Sequence, residues 1–151
     1  MLVNTNEAKI VGANEGAVWS VLGQPVICKV RSEETGGAYS IVENTVPPQE
    51  GPPPHRHQHE DELFYVLEGE FEILCGEKTI IAKKGDLAII PRGTVHTFRN
   101  IGTENGKFWI TCTPGGFEGF FEEVSRDASE MPPNIEKIKA IGLKYGCEFL
   151  V

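Results

Sequence analysis

The chain has 151 residues, of which 40% are hydrophobic and 24% are charged, a composition typical of one globular domain and unlike that of disordered, collagen-like or disulfide-dense proteins. Its 22 acidic and 14 basic residues give a formal net charge of -8, which disfavours nucleic acid as a partner. The sequence has neither a basic start followed by an apolar stretch nor an apolar run as long as a membrane span, so we expect a cytoplasmic protein.

Short runs of β-branched and aromatic residues, separated by turn residues, fill the sequence from 17 to 113 and predict an all-β sandwich or barrel. The predicted strands cover residues 18–22, 26–31, 38–46, 62–67, 71–75, 78–82, 86–90, 94–100 and 107–113. This number of strands is enough for a jelly roll. We therefore expect an N-terminal arm over residues 1–16 and a barrel over residues 17–116.

Beyond residue 116 the apolar spacing changes to that of amphipathic helices. The apolar side chains are Phe117, Phe120, Phe121 and Val124 in the first predicted helix and Ile135, Ile138 and Ile141 in the second. A helical apolar stripe must be buried against a neighbour, so we expect residues 117–151 to form short C-terminal helices that pack on the barrel.

The four cysteines are scattered along the chain at Cys28, Cys75, Cys112 and Cys147, with no C-x-x-C pair. This spacing suggests neither a zinc site nor a disulfide framework. Free cysteine is among the most buried residue types, so we expect reduced and mostly buried thiols.

Three of the four histidines lie within a five-residue window that follows a run of prolines. Side chains two apart share a face of an extended segment, so His55 and His57 can reach one ion, whereas Arg56 and Gln58 point away from it. Glu62 begins the next predicted strand on an otherwise apolar face, where a carboxylate needs a partner.

His96, the fourth histidine, follows a Pro-x-Gly turn that leads into another predicted strand. If the barrel brings this strand beside His55 and His57, three imidazoles and the carboxylate of Glu62 form one site with positions left for substrate or water. Such mixed nitrogen and oxygen donors suit Ni, Fe, Mn, Co, Cu or Zn better than Mg or Ca. The alternative is that each histidine is an ordinary core residue. His59 could be a solvated loop residue, a second-shell partner of the ligands or an alternative ligand.

These residues resemble the two sequence motifs of the cupin superfamily. The first motif, which pairs H-x-H with a glutamate and a glycine, is matched by His55, His57, Glu62 and Gly69, although its leading glycine, Gly51, stands four residues before His55 rather than six. The second is matched at every defined position by Gly85, Pro91, Gly93, His96 and Asn100. Two linked motifs are a much more specific signal than either motif alone.

The resemblance implies a double-stranded β-helix, which is a jelly-roll barrel, with His55, His57, Glu62 and His96 as the metal ligands and Asn100 as a structural residue. The remaining sequence is similar to bacterial single-domain quercetinase-like cupins along nearly the whole chain. That family implies a metal-dependent dioxygenase that opens the central ring of a flavonol, with Glu62 taking the proton of the substrate hydroxyl.

A planar aromatic substrate requires an apolar pocket, and the candidates for its lining are Tyr39, Phe64, Val66, Phe98 and Trp109. Each of these side chains could equally be plain core. Two other functions stay open, because the cupin fold serves many. One is a non-catalytic or regulatory protein that binds an anionic small molecule through the metal, and the other is an isomerase, for which a basic cluster would be needed.

The strand predicted over residues 62–67 carries apolar side chains on both faces, with Leu63, Tyr65 and Leu67 opposite the pocket. We therefore expect both faces of this strand to be buried against other parts of the protein or a partner. Single-domain cupins usually pair their barrels, so the resemblance also implies a homodimer.

Overall fold

The computed structural model describes residues 7–151, which form two β-sheets, two α-helices and one short 3₁₀ helix. The strands are β1 (Ala17–Val21), β2 (Gln24–Val30), β3 (Ser40–Val46), β4 (His55–His57), β5 (Asp61–Glu68), β6 (Glu70–Cys75), β7 (Lys78–Lys83), β8 (Leu87–Ile90), β9 (His96–Asn100), β10 (Gly106–Thr113) and β11 (Cys147–Phe149). The helices are α1 (Glu118–Asp127) and α2 (Ile135–Lys144), and the 3₁₀ helix covers Ser32–Thr35.

The two sheets are antiparallel and differ in the order of their strands. The larger sheet has the order β1-β2-β3-β10-β5-β8, and the smaller has β11-β4-β9-β6-β7. Sequence neighbours such as β4 and β5 thus belong to different sheets, as in a jelly roll. The all-β prediction is confirmed.

The core lies between the sheets and follows from the alternation of side chains along each strand. In β5, Phe64 and Val66 are buried, whereas Tyr65 between them is exposed. Aromatic rings from both sheets meet in the centre, where the ring centroids of Phe98 and Phe108 are 4.8 Å apart. Burial of one such ring contributes about 2–3 kcal/mol to the free energy of unfolding.

The C-terminal segment contains a strand as well as the two predicted helices. Helix α1 packs against β1 and α2, and α2 is followed by β11, which pairs with β4. The expectation for residues 117–151 named only helices, so β11 is a feature that the sequence pattern did not predict. None of the helices in the described residues is long and apolar enough to cross a membrane.

Residues 12–15 lie beside the larger sheet and are held there by Lys29 of β2. Its buried ammonium donates hydrogen bonds of 2.8 to 3.0 Å to the backbone carbonyl oxygens of Gly12, Ala13 and Glu15. Of the predicted N-terminal arm, residues 1–6 lie outside the described residues. The division of the chain at residues 16 and 116 stays a prediction.

Candidate metal centre

Strand β4 carries two histidines on its inner face and lies between two partner strands. His55 and His57 are 8% and 2% exposed, whereas Arg56 between them is exposed. On one side β9 places His96 opposite His55, and on the other β11 places Phe149 opposite His55. The smaller sheet therefore brings three imidazoles to one point.

Glu62 reaches the same point from β5 of the larger sheet. It is 2% exposed, and its Oε1 atom lies 2.7 Å from Nε2 of His57. Its Oε2 atom lies 3.1 Å from Nε2 of His96. The cluster thus spans the space between the two sheets and contains all four residues of the predicted ligand set.

The three imidazoles are oriented by hydrogen bonds at Nδ1, the ring nitrogen that faces away from the cluster. His55 Nδ1 donates to the carbonyl oxygen of Pro53 and His96 Nδ1 to that of Thr94, each at 2.9 Å. A carbonyl oxygen can only accept, so the Nδ1 atoms of His55 and His96 carry the protons. In the neutral form of His55 the Nε2 lone pair is then free to bind a metal, whereas Nε2 of His96 is hydrogen-bonded to Oε2 of Glu62 and would exchange that contact for the metal.

His57 differs because its Nδ1 atom is paired with a carboxylate. Nδ1 and Oε1 of Glu60 are 2.6 Å apart, and both side chains are buried. The sequence pattern indicated His59, and not Glu60, as a candidate partner of the ligands. His59 is exposed and lies against Gly146, so it is the neighbouring carboxylate that supports the cluster. The one sequence signal for Glu60 is its position in the acidic run 60–62.

The Nε2 atom of His57 is buried and makes no hydrogen bond. Glu62 is close to it, but the two groups are not aligned as donor and acceptor. The ligating nitrogens of His55, His57 and His96 all lie within 4.8 Å of one another, which puts one ion within reach of all three. These donors fit a transition metal, and they could hold one.

The pKa values of the two histidines on β4 are shifted in opposite directions. Burial and the neighbouring His96 lower the pKa of His55 to about 4. Burial acts in the same direction on His57, but the charge of Glu62 and the hydrogen bond that His57 donates to Glu60 outweigh it and raise the pKa of His57 to about 9. Although burial opposes ionisation of Glu62, the charge of His57 holds the pKa of that carboxyl well below its usual range.

An apolar cavity of about 100 Å³ adjoins the cluster, and His55 and Glu62 form part of its wall. Of the predicted pocket residues, Phe64 and Phe98 line this cavity. Val66 is buried and does not line it. The aromatic rings that the C-terminal segment adds to the wall are Phe117, Phe120, Phe121 and Phe149.

Two predicted pocket residues lie elsewhere. Tyr39 is 41% exposed and Trp109 is 36% exposed, and neither lines the cavity. The indole nitrogen of Trp109 donates to Oε1 of Glu43 at 3.0 Å, on the outer face of β10. Tyr39 precedes β3, where it lies next to the 3₁₀ helix. We therefore leave Tyr39, Val66 and Trp109 out of the pocket.

Comparison with known proteins gives a family match over part of the chain and a likeness of fold. Residues 42–112 match a family described as Cupin domain. The quercetin 2,3-dioxygenase of Bacillus subtilis is 30% identical over 92 residues, which are 61% of this chain and 27% of that protein. That of Aspergillus japonicus is 28% identical over 108 residues, which are 67% of this chain and 31% of that protein. The chain thus spans less than a third of the length of these two relatives.

Among solved structures, KdgF from Halomonas sp. is similar with a TM-score of 0.66 and 17% sequence identity. The similar region covers 75% of this chain and 99% of that chain. At this identity the likeness establishes the fold, and the function must be argued from the site.

Proposed function

Because residues 42–112 form a cupin domain within a double-stranded β-helix, we propose that this protein is a metal-dependent dioxygenase that cleaves a flavonol or a related aromatic enol with O₂. One observation carries the proposal: three convergent imidazoles and a carboxylate adjoin a cavity with aromatic walls. The likeness to two quercetin 2,3-dioxygenases supports the choice of substrate class.

In this proposal the Nε2 atoms of His55, His57 and His96 and the carboxylate of Glu62 hold one divalent transition metal. When bound, the metal supplies a Lewis acid that favours ionisation of a substrate hydroxyl. The candidate metals are Ni, Fe, Mn, Co, Cu and Zn, because the donors are nitrogen and oxygen. The hydrogen bonds at the three Nδ1 atoms direct the Nε2 atoms into the cluster, and His57, whose pKa is about 9 without metal, would release its Nε2 proton when a metal binds.

Glu62 also accepts the hydroxyl proton of the substrate. Its carboxylate is ionised at neutral pH and lies in the cavity wall. The imidazoles of His57 and His96 favour its charge and lower its basicity, so the transfer depends on the bound metal, which would make the substrate hydroxyl more acidic. Proton transfer to this oxygen leaves an enolate, which is the electron-rich species that O₂ attacks. O₂ forms one C–O bond to each of the two ring carbons beside the carbon that bears the enolate oxygen, the two C–C bonds to that carbon break, and it leaves as CO. Both atoms of O₂ thus enter the ring-opened product, and O₂ is the oxidant of the reaction.

The aromatic wall orients the substrate and excludes water. Phe64 and Phe98 extend from the barrel, and Phe117 and Phe120 from the segment around α1. Rings at these positions can pack on the faces and edges of a planar ligand. Exclusion of water also strengthens the charge interactions between the enolate and the site.

A second candidate function is that of a non-catalytic protein that binds a small anionic molecule through the metal. The size of the cavity favours it, because about 100 Å³ is below the range of 300–1,000 Å³ that is common for pockets of drug-sized ligands. An isomerase is less favoured, because Arg56 and Arg92 are paired with Glu148 and Asp61 outside the cavity.

The experiment that decides between these functions is aerobic turnover by the purified protein. The protein is prepared without chelator, its metal is identified, and it is reconstituted with Fe, Mn, Co, Ni, Cu or Zn. We expect O₂ uptake and loss of flavonol absorbance in step with each other. Flavonol binding without O₂ uptake under any of these metals would replace the dioxygenase by the binding protein.

We further propose that the protein is a cytoplasmic homodimer, paired through the outer face of the larger sheet. This face exposes apolar side chains on three adjacent strands, namely Tyr65 of β5, Leu87 and Ile89 of β8 and Trp109 of β10. We call these four residues the outer apolar face. Contiguous exposed apolar surface of this kind is typical of protein interfaces.

A further inference from the structure

Asn44 of β3 is a polar residue on the inner face of the barrel whose side chain has an unsatisfied acceptor. It is 8% exposed, it lines the cavity, and its Oδ1 atom makes no hydrogen bond. Its inward neighbours on the strand, Val42 and Val46, are apolar. We propose that Asn44 determines specificity by binding a hydroxyl group of the ligand at the end of the cavity remote from the histidines.

The strand register puts Asn44 and the metal centre at different levels of the larger sheet. Asn44 is opposite Phe108 of β10, which is opposite Val66 of β5, whereas Glu62 is four residues further along β5. The Cα atoms of Asn44 and Glu62 are therefore separated by about 13 Å along the strands and by two strand spacings, about 10 Å, across them. Since both residues line one cavity, a ligand that touches both must be elongated, and the cavity of about 100 Å³ must widen to admit it.

The unsatisfied acceptor, Oδ1 of Asn44, lowers the stability of the folded protein. A buried polar group without a partner destabilises the folded state by about 1–3 kcal/mol relative to a satisfied one. An apolar side chain would avoid this cost in a wall that is otherwise rich in phenylalanine. A ligand with a hydrogen-bond donor at this position would supply the missing partner, and a ligand hydroxyl has such a donor.

The two polar ends define the class of ligand. One end carries the oxygen atoms that meet Glu62 and the histidines, the middle is flat and apolar, and the far end carries a hydroxyl for Asn44. A hydroxylated flavonol has this pattern. This inference rests on the proposed function for the identity of the metal-binding end, whereas the role of Asn44 rests on the cavity itself.

The test compares two flavonols that differ only at the far end, 3-hydroxyflavone and 3,4′-dihydroxyflavone. Their affinities for the metal-loaded protein are measured without O₂ from the change in flavonol absorbance. We expect the wild type to bind the dihydroxy compound about tenfold more tightly, which is the worth of one good hydrogen bond. Asn44→Leu should abolish this preference and leave metal content unchanged.

Asn105→Leu is the matched control, because Asn105 is exposed in a loop distant in sequence from β3. The control should keep the tenfold preference. Thermal unfolding gives a second readout: Asn44→Leu should keep or raise the melting temperature, because it removes an unsatisfied group. An unchanged preference in Asn44→Leu would overturn the proposal, as would a wild type that does not distinguish the two flavonols.

If neither flavonol binds, the proposed substrate class fails, and the role of Asn44 is decided with single-ring probes. Phenol and toluene have similar shapes and differ in one hydroxyl. Ligand-observed NMR should then show that the wild type prefers phenol and that Asn44→Leu loses this preference. If Asn44→Leu prefers phenol over toluene as strongly as the wild type does, only water contacts Asn44, and the proposal is wrong.

Discussion

Nδ1 of His57 lies 2.6 Å from Oε1 of Glu60, and both side chains are shielded from solvent. The same imidazole directs Nε2 into the cluster, where it makes no hydrogen bond. The carboxylate thus fixes the direction of the ring and makes its inner nitrogen a better donor to a metal. Glu60 acts here through His57 and is a positioning residue.

The first prediction concerns this pair. Glu60→Ala should weaken metal binding about 10- to 100-fold, as is typical for loss of a carboxylate behind a ligating histidine. Glu60→Gln, which keeps a hydrogen-bond acceptor, should restore part of that loss. Asp61→Asn is the control, because Asp61 is next in sequence and pairs with Arg92 at the surface. Competition titration with a chelator measures the affinity, and equal affinities for Glu60→Ala and the control would contradict the role of Glu60.

The second prediction concerns the ligands themselves. His96→Ala and Glu62→Ala should each lower the metal content of the purified protein, because each removes a donor from a buried cluster. His59→Ala should keep at least half of the metal, since His59 is exposed and does not reach the cluster. Elemental analysis of the three variants decides the matter. Full metal content in the first two would mean that the site is misassigned.

The third prediction concerns Asn100, whose side chain fixes the loop between β9 and β10. Its Nδ2 atom donates to the carbonyl oxygens of Val46 and Glu104, and its Oδ1 atom accepts from the amide of Gly102. Asn100→Ala removes these three hydrogen bonds at a fully buried position, so the free energy of unfolding should fall by about 2–4 kcal/mol.

Asn105→Ala is its control, because Asn105 is an exposed residue of the same loop, and it should change the free energy of unfolding by less than about 0.5 kcal/mol. Urea unfolding of both variants measures the difference. Equal stabilities for the two variants would show that the hydrogen bonds of Asn100 contribute little.

These residues also show how far sequence reasoning reaches. His55 and His57 could be placed on one face because side-chain alternation is a local property of an extended chain. His96 and Glu62 could be proposed from their local settings, a Pro-x-Gly turn and an apolar strand face, whereas the long-range strand pairing that joins them to His55 and His57 was implied only by the motif resemblance. Glu60 was not predicted, because its contact with His57 depends on the turn between β4 and β5. The acidic residues 60–62 do not reveal the geometry of that turn.

The fold shows the same limit at its shortest strands. Strands β4 and β11 have three residues each, too few for a period of apolar side chains to be recognised, and they form through pairing, β11 with β4 and β4 also with β9. The pocket prediction failed at Trp109 for a related reason. Aromatic character alone does not tell which face of a strand is inward, and Trp109 alternates with the buried Phe108 and Ile110.

The fourth prediction concerns thiol reactivity, which requires the thiolate and therefore depends on pKa and access. Burial raises the pKa of Cys28 to about 12 and also raises the pKa values of Cys112 and Cys147. Burial raises the pKa of Cys75 as well, but this residue is only half-buried, so its access to a reagent distinguishes it from the other three. At pH 8 an aromatic disulfide reagent should modify one thiol quickly and the others only after denaturation. Cys75→Ser should remove the fast phase, and a fast phase that survives in this variant would refute the prediction.

The fifth prediction tests the outer apolar face. Strand β8 is an edge of the larger sheet, and its Ile89 side chain is 64% exposed, so a lysine there would place a charge in the proposed dimer interface. Ile89→Lys should convert the dimer to a monomer at micromolar concentration, as measured by light scattering.

Val18→Lys is a matched control, because Val18 is also 64% exposed but lies on β1, at the opposite edge of the same sheet. The control should remain dimeric if the interface is formed by the outer apolar face. Both variants add one positive charge at an edge of the same sheet, so their effects on solubility are matched. A difference in oligomeric state between them therefore reports the position of the dimer interface. A monomeric wild type, or dissociation by Val18→Lys and not by Ile89→Lys, would refute pairing through this face.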